Sequence, residues 1–219
     1  VFLALGIFYT TNNSLFYAAT KITTIANALL THHLMPIFIL IFGFLLIKEK
    51  IAKISVLAIS LSLMGLGVML SSNELTFNNT HFSGLVLGTL SAVFFALELL
   101  SMKTLTRFYE ADIIVIRRLL SAVILLIPFV SFGRILTIDG ISLLSLLALG
   151  IIALTFAPYL HTSGLKNVKA QHAAIIGYLA PAGGILWGFL VIAEVPPYET
   201  FIGGVLILLG SYVILRYRD

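Results

Sequence analysis

The sequence contains no cysteine, only one tryptophan and few charged residues. Of its 219 residues, 10% are Asp, Glu, Lys or Arg and 60% are hydrophobic. Without cysteine, the chain cannot form disulfides, thiolate metal sites or cysteine nucleophiles. A soluble globular domain is roughly a quarter charged, so that class is excluded. Disorder, collagen-like repeats and nucleic-acid binding are also excluded by composition. The mean hydropathy of +1.11 indicates an integral membrane protein.

Eight apolar runs are long enough to cross a bilayer. A hydrocarbon core of about 30 Å requires roughly 20 apolar residues per helix, and only short polar segments separate the runs. Short connections place consecutive helices antiparallel to each other. We therefore predict an all-α, polytopic membrane helix bundle with about eight transmembrane helices. The predicted spans are 1–19, 24–47, 53–71, 84–102, 112–132, 141–160, 172–193 and 200–215.

The positive charges fall almost entirely on one side of this arrangement. If successive connections alternate sides, only Lys21 and Arg134 lie on the other side. Positively charged loops resist translocation, so the side that carries the remaining basic residues is predicted to be cytoplasmic, together with the C-terminus. Those residues are Lys48, Lys50, Lys53, Lys103, Arg107, Arg117, Arg118, Lys166, Lys169, Arg216 and Arg218.

Two parts of the sequence match each other at a fixed offset of 145 positions. Pro36 aligns with Pro181 and Glu49 with Glu194, without a gap. The two spans that contain the prolines, 24–47 and 172–193, are predicted to cross the membrane in opposite directions. This pattern predicts an inverted-topology repeat of the kind that many secondary transporters contain.

The matching residues carry a resemblance to a known family. The stretch from Ala19 to Lys50, with Pro36 and Gly43-Phe44-Leu45, resembles the first EamA repeat of the drug/metabolite transporter superfamily. The stretch from Gly164 to Gly210, with Gly177-Tyr178-Leu179-Ala180-Pro181, resembles the second. The resemblance implies an inverted five-plus-five bundle and transport by alternating access.

The same resemblance implies a domain organisation. Residues 1–71 correspond to the C-terminal three helices of the first EamA repeat, and residues 84–217 to all five helices of the second. Because the chain begins with Val1 and the first repeat has only three helices, we expect the first two helices of the family to be missing from this sequence. The implied central cavity is lined by spans 1–19, 24–47, 84–102, 141–160 and 172–193.

These observations predict a secondary transporter, an exporter or exchanger of a small polar or amphipathic metabolite such as an amino acid or nucleobase. The alternative is a non-transporting membrane scaffold or a truncated remnant of such a transporter. We expect no enzymatic activity, cofactor, bound metal or nucleic-acid partner. The expected partners are the lipid bilayer, in the cell (inner) membrane, and the small-molecule substrate. Glycines such as Gly65 and Gly203 permit close helix contact, either within the bundle or in a homodimer.

Four polar or aromatic side chains are predicted to bind substrate: Asn12, His33, Tyr159 and Tyr178. Asn12 and Asn13 point about 100° apart on one helix, so at most one of them faces the cavity. Its amide can both donate to and accept from a zwitterionic substrate, although hydrogen bonding between helices is the alternative. His33 aligns with Tyr178 at the repeat offset, which predicts that both face the same cavity.

Two prolines are candidates for a hinge or gate. Pro36 and Pro181 lie near the middle of their predicted spans, and each removes a main-chain hydrogen bond from its helix. Interrupted helices at equivalent positions of two repeats indicate the binding site of a transporter. A static kink is the alternative, since proline is common in membrane helices.

Glu98 and His33 are the candidates for proton coupling. Glu98 is the only acidic residue well inside a predicted span, where an unpaired carboxylate is costly. An ion pair with Arg117 or Arg118 is the structural alternative. His32 and His33 are adjacent, which argues against a shared metal, because two ligands on one helix require a spacing of four residues. Glu49, at the end of its span, is expected to cap a neighbouring helix or to pair with a lysine.

Overall fold

The structure is a computed structural model that describes residues 1–71, 79–130, 133, 138–181, 183, 190 and 197–216. Within these ranges every regular element is a helix, which confirms the predicted all-α fold. Five helical stretches are long and apolar enough to cross a membrane: Asn27–Ile47, Lys53–Leu70, Phe82–Leu105, Gly140–Leu165 and Tyr198–Arg216.

The α-helices are numbered in chain order. They are α1 (Phe2–Ile22), α2 (Ile25–His32), α3 (Met35–Ile47), α4 (Lys53–Leu70), α5 (Asn79–Leu105), α6 (Ala111–Leu126), α7 (Gly140–Ala148), α8 (Ala157–Leu165), α9 (Ala170–Gly177) and α10 (Tyr198–Arg216).

The other predicted spans are also mostly helical within the described residues. Helix α1 has 21 residues but contains the polar run from Thr10 to Ser14. Helix α6 has 16 residues and continues into a short 3₁₀ turn, Ile127–Phe129. Helix α9 begins the predicted span 172–193. Most of that span beyond Pro181, together with Glu194, lies outside the described residues.

The chain forms two compact units, each built from separate parts of the sequence. Unit 1 comprises Val1–Thr11 and Ser101–Val168, and unit 2 comprises Asn12–Leu100 and Lys169–Asp219. Each unit therefore draws residues from both of the predicted repeat segments, 1–71 and 84–217. The repeat boundaries describe duplication in the sequence and stay a prediction.

In unit 2, helices α4 and α10 pack closely because glycines face each other. A Cβ atom on Gly65 would lie 2.6 Å from the carbonyl oxygen of Gly203, closer than real side chains allow. Around this contact Leu66, Met69 and Ile207 form a buried apolar cluster with Tyr178. Gly65 and Gly203 thus pack within the chain. A Cβ atom on Gly67 would meet no described atom within 4 Å.

Unit 1 contains a long helix that changes its pitch. Helices α7 and α8 are joined without a break by a π-helical segment, Leu149–Phe156, where Thr155 donates its hydroxyl to the Gly150 carbonyl at 2.9 Å. Asp139 caps α7 by accepting from the main-chain nitrogens of Ile141 and Ser142, at 3.1 Å each. Hydrogen bonds from Ser142 hold the pKa of Asp139 below its usual value.

Candidate functional site

The helix that contains Pro36 is broken, not merely bent. Helix α2 ends at His32, His33 and Leu34 form a turn, and α3 begins at Met35. Pro36 is therefore the second residue of a new helix, and the turn lies just before it. The cause is local: proline has no N–H to bond the carbonyl of His32, and its ring clashes with that carbonyl.

The second proline follows an equivalent break. Helix α9 ends at Gly177, Tyr178 lies in a turn, and residues 179–181 are helical again. The two breaks touch each other within unit 2, because the Tyr178 hydroxyl donates to the main-chain carbonyl of His33 at 2.7 Å. Tyr178 is completely buried, so this bond satisfies a carbonyl that the break removes from the helical pattern.

His33 and Tyr178, both predicted to bind substrate, lie side by side. Their ring centroids are 5.9 Å apart. The Nδ1 atom of His33 lies 2.8 Å from the Leu29 carbonyl oxygen, and because a carbonyl only accepts, Nδ1 carries the proton in this bond. The other ring nitrogen, Nε2, is thereby the one left for a ligand or a second proton.

Asn12 and Glu98, the two polar candidates on α1 and α5, are also neighbours in unit 2. Their exposed fractions are 5% and 4%, and the Asn12 amide nitrogen donates to a Glu98 carboxylate oxygen at 3.4 Å. The Asn12 amide oxygen is buried and has no hydrogen-bond partner among the described residues, and an unmet buried acceptor costs about 1–3 kcal/mol. The predicted ion pair of Glu98 with Arg117 or Arg118 stays a prediction.

His32 lies in a group of aromatic rings in the same unit. Its ring centroid is 4.8 Å from that of Phe16 and 5.7 Å from that of Phe95. The Ser91 hydroxyl donates to the Gly88 carbonyl at 2.7 Å, so its oxygen accepts from Nδ1 of His32, 2.8 Å away. This bond and the two phenyl rings hold the imidazole in one orientation.

The remaining candidate residues are Tyr159, Pro181, Arg117 and Arg118. Tyr159 lies on α8 in unit 1, with 41% of its surface exposed. Pro181 is partly buried, three residues after Tyr178. Arg117 and Arg118 lie against rings in unit 1, with guanidinium carbons 4.8 Å from the Phe2 centroid and 4.4 Å from the Tyr9 centroid. The described residues include no group of three His, Asp or Glu that could hold a metal.

Glu49 joins the end of α3 to the start of α9. Both of its carboxylate oxygens accept from the main-chain nitrogen of Ala170, at 3.1 and 3.2 Å. The Gln171 side chain donates to the carbonyl of Lys50 at 3.0 Å. Glu49 was expected either to cap a neighbouring helix or to pair with a lysine, and in the structure it caps the N-terminus of α9. A carboxylate is favourable there because a helix N-terminus carries partial positive charge.

Lys103 is a structural residue that the sequence interpretation counted only as a positive charge. Its ammonium group donates to three main-chain carbonyls at the C-terminal end of α8 and just beyond it: Leu165 at 2.8 Å, Lys166 at 3.3 Å and Val168 at 2.6 Å. A cation is favourable at a helix C-terminus, where the last carbonyls lack partners. A lysine in the last turn of its own helix gives no sign that it caps a different one.

Comparisons with known proteins agree with this architecture. The EamA-like transporter family matches residues 1–71 and 82–216. An uncharacterized transporter of Archaeoglobus fulgidus is 29% identical over 219 residues, which are 99% of this chain and 76% of the relative. The pseudopaline exporter CntI of Pseudomonas aeruginosa is 27% identical over 203 residues, 93% of this chain and 70% of the relative. A solved crystal structure with 22% identity superposes with a TM-score of 0.81, covering 99% of this chain and 76% of the other, which shows the fold.

Proposed function

The chain belongs to the EamA-like transporter family, and we propose that it is a secondary exporter or exchanger of a small polar or amphipathic metabolite. Its family and its relatives make it a multi-pass membrane transporter. We propose an amino acid or a nucleobase as the class of substrate and alternating access as the mechanism. One relative is a pseudopaline exporter, which supports export of a polar metabolite.

The observation that carries the mechanism is the pair of broken helices. Interrupted helices free main-chain groups for ligand binding and provide points about which the helix halves can rotate. In this chain the breaks follow His32 and Gly177, and the hydrogen bond from Tyr178 to His33 joins them. In the proposed mechanism, this bond breaks when the two helices move relative to each other. Pro36 and Pro181 are the proposed hinges.

Contacts between α4 and α10 support the proposed inverted repeat. Gly65 approaches Gly203, and Gly210 approaches Ala58, whose carbonyl oxygen would lie 2.8 Å from a Cβ added at Gly210. At the repeat offset, Gly65 corresponds to Gly210 and Ala58 to Gly203. Replacing each residue of the Gly65–Gly203 contact by its repeat counterpart therefore gives the Gly210–Ala58 contact. A pseudo-twofold axis between the repeats requires such a pair of equivalent contacts.

We propose that the substrate site lies in unit 2 at Asn12, His33 and Tyr178. All three are buried polar side chains within predicted spans, where polar groups are costly and tend to be functional. Glu98, or His33 through its Nε2 atom, is the proposed proton carrier. The distribution of Lys and Arg supports a cytoplasmic C-terminus, and the cell inner membrane is the proposed location.

Transport in proteoliposomes tests this function. The purified chain is reconstituted in vesicles preloaded with an unlabelled amino acid or nucleobase, and uptake of the same labelled compound is measured as counterflow. We expect labelled substrate to accumulate above the level of protein-free vesicles. Tyr212→Phe, at an exposed tyrosine, is a matched control for substitutions of Tyr178. If correctly folded protein gives no counterflow with any compound of these classes, the chain is instead a non-transporting scaffold.

A further inference from the structure

The orientation of the Asn12 amide follows from its neighbour. An ionised carboxylate can only accept hydrogen bonds, so the amide nitrogen of Asn12 must face Glu98, as it does at 3.4 Å. The amide oxygen consequently points away from that bond. It is buried and has no hydrogen-bond partner in the part of the chain that the structure describes. The site thus presents an unmet acceptor beside a carboxylate, and a group with several N–H donors and a positive charge would complement both.

Aromatic rings lie on the same sides of the two helices, about one turn from this pair. Phe16 follows Asn12 by four residues on α1, and Phe95 precedes Glu98 by three residues on α5. These spacings place each ring on the same face as its polar neighbour. The His32 ring lies near both phenyl rings, at 4.8 and 5.7 Å. We call Phe16, His32 and Phe95 the aromatic group.

We propose that Asn12 and Glu98 bind the protonated primary amine of the transported metabolite, and that the aromatic group packs against the carbon skeleton attached to it. This inference rests on the proposed function and specifies the class of its substrate. An ammonium group donates one hydrogen to the Asn12 amide oxygen and another to the Glu98 carboxylate. Its positive charge is attracted by the carboxylate and by the faces of nearby aromatic rings.

The same geometry discriminates against other ligands. A carboxylate group placed at this site would be repelled by Glu98 and could not donate to Asn12. A quaternary ammonium carries the charge but has no N–H for the amide oxygen. A neutral alcohol has one donor and no charge. Because the amide oxygen is sealed from solvent in this structure, the amine reaches it only after side chains or helix segments move.

Binding to the unmodified chain tests the inference without any variant. The purified chain in lipid nanodiscs is titrated by calorimetry with phenethylamine, its N,N,N-trimethyl analogue, phenethyl alcohol and 3-phenylpropionate at neutral pH. A hydrogen bond to a buried acceptor makes a difference of about tenfold or more in affinity. We therefore expect phenethylamine to bind at least about tenfold more tightly than the trimethyl compound, and the carboxylate not to bind. Equal affinities for the two amines, or tighter binding of the carboxylate or the alcohol, would overturn the proposal.

Two variants separate the roles of the two polar residues. Asn12→Ala removes the acceptor, so the preference for phenethylamine over its trimethyl analogue should fall towards one. Glu98→Gln removes the negative charge, so both amines should bind about 10- to 100-fold more weakly. Asn13→Ala, one position along α1, is the matched control. It should change neither the preference for phenethylamine nor the affinity for the two amines by more than about twofold. If Asn12→Ala kept the full preference in folded protein, the assignment would be wrong.

The outcomes also distinguish this inference from the proposed function. If the chain transports a metabolite in vesicles but phenethylamine neither binds nor competes, the amine site is refuted and the transporter stands. If phenethylamine binds as expected but no counterflow is found with any amino acid or nucleobase, the site stands and the transport function is refuted.

Discussion

The phenolic hydroxyl of Tyr178 donates to the main-chain carbonyl of His33, the residue 145 positions earlier. This separation equals the offset between Pro36 and Pro181 and between Glu49 and Glu194. In a repeat protein, a contact between two corresponding positions lies on the axis that relates the repeats. Under the proposed inverted repeat, the bond would therefore join the two helices at the axis that relates them.

Replacing Tyr178 by Phe is expected to loosen this junction. The variant keeps the ring and loses the hydroxyl, which leaves a buried carbonyl without its donor at a cost of about 1–3 kcal/mol. We expect the free energy of unfolding to fall by that amount and the substrate affinity to change, with most of the protein still folded. Chemical unfolding in mixed micelles and counterflow kinetics measure the two effects. Unchanged affinity in the variant would make Tyr178 a purely structural residue.

His33→Ala is expected to act mainly on the substrate. The main-chain carbonyl that accepts from Tyr178 remains in the variant, whereas the imidazole beside the Tyr178 ring is lost. We expect weaker substrate binding with little loss of folded protein, measured by counterflow and by the recovery of monodisperse protein. Wild-type kinetics in His33→Ala would remove it from both the substrate site and the proton pathway.

The glycines between α4 and α10 are expected to tolerate no side chain. In Gly65→Ala the new methyl group would meet the main-chain oxygen of Gly203 at 2.6 Å, and main chain cannot move aside as a flexible side chain does. We expect overpacking to lower the free energy of unfolding by about 1–3 kcal/mol. The measurement is chemical unfolding of both variants in the same detergent.

Gly67→Ala is the matched control for that substitution. A Cβ atom at Gly67 meets no described atom within 4 Å, so the helix gains about 0.5–1 kcal/mol from the replacement of glycine by alanine. The two variants should therefore shift stability in opposite directions. Equal shifts would mean that the close contact of α4 with α10 does not exist in the membrane.

The sequence was sufficient for the helices but not for their local departures from regular geometry. Long apolar runs predicted α4, α5 and α10 because length and composition alone decide whether a helix can cross a bilayer. Pro36 predicted an irregularity, yet the helix ends at His32 because proline cannot bond the carbonyl four residues earlier and its ring clashes with that carbonyl. The π segment after Ala148 could not be predicted, since its residues are ordinary membrane-helix residues.

The sequence identified the individual polar residues of the candidate site, but not which of them contact each other. Asn12, Glu98, His33 and Tyr178 are identifiable because a polar side chain is expensive within a span. The sequence did not indicate that Asn12 lies 3.4 Å from Glu98, a residue 86 positions away on another helix. Such a contact depends on how helices are rotated about their axes, which hydropathy does not specify.

Glu49 is expected to matter more than an exposed glutamate. In Glu49→Ala the main-chain nitrogen of Ala170 loses its acceptor, and loss of a helix cap costs about 0.5–2 kcal/mol. Glu110→Ala is the matched control, because Glu110 pairs with Lys166 at 3.4 Å on an exposed surface. Surface pairs contribute about 1 kcal/mol or less. If Glu110→Ala destabilised the protein as much as Glu49→Ala in chemical unfolding, Glu49 would not act as a cap.

The central claim, that the two repeats cross the membrane in opposite directions, is tested most directly by cysteine labelling. The chain contains no cysteine, so Lys50→Cys and Pro197→Cys each introduce a single thiol, both at exposed positions. The variants are treated with a membrane-impermeant maleimide in right-side-out and inside-out vesicles. We predict that position 50 is labelled only in inside-out vesicles and position 197 only in right-side-out vesicles. Labelling of both positions from the same side would contradict the inverted repeat and the mechanism built on it.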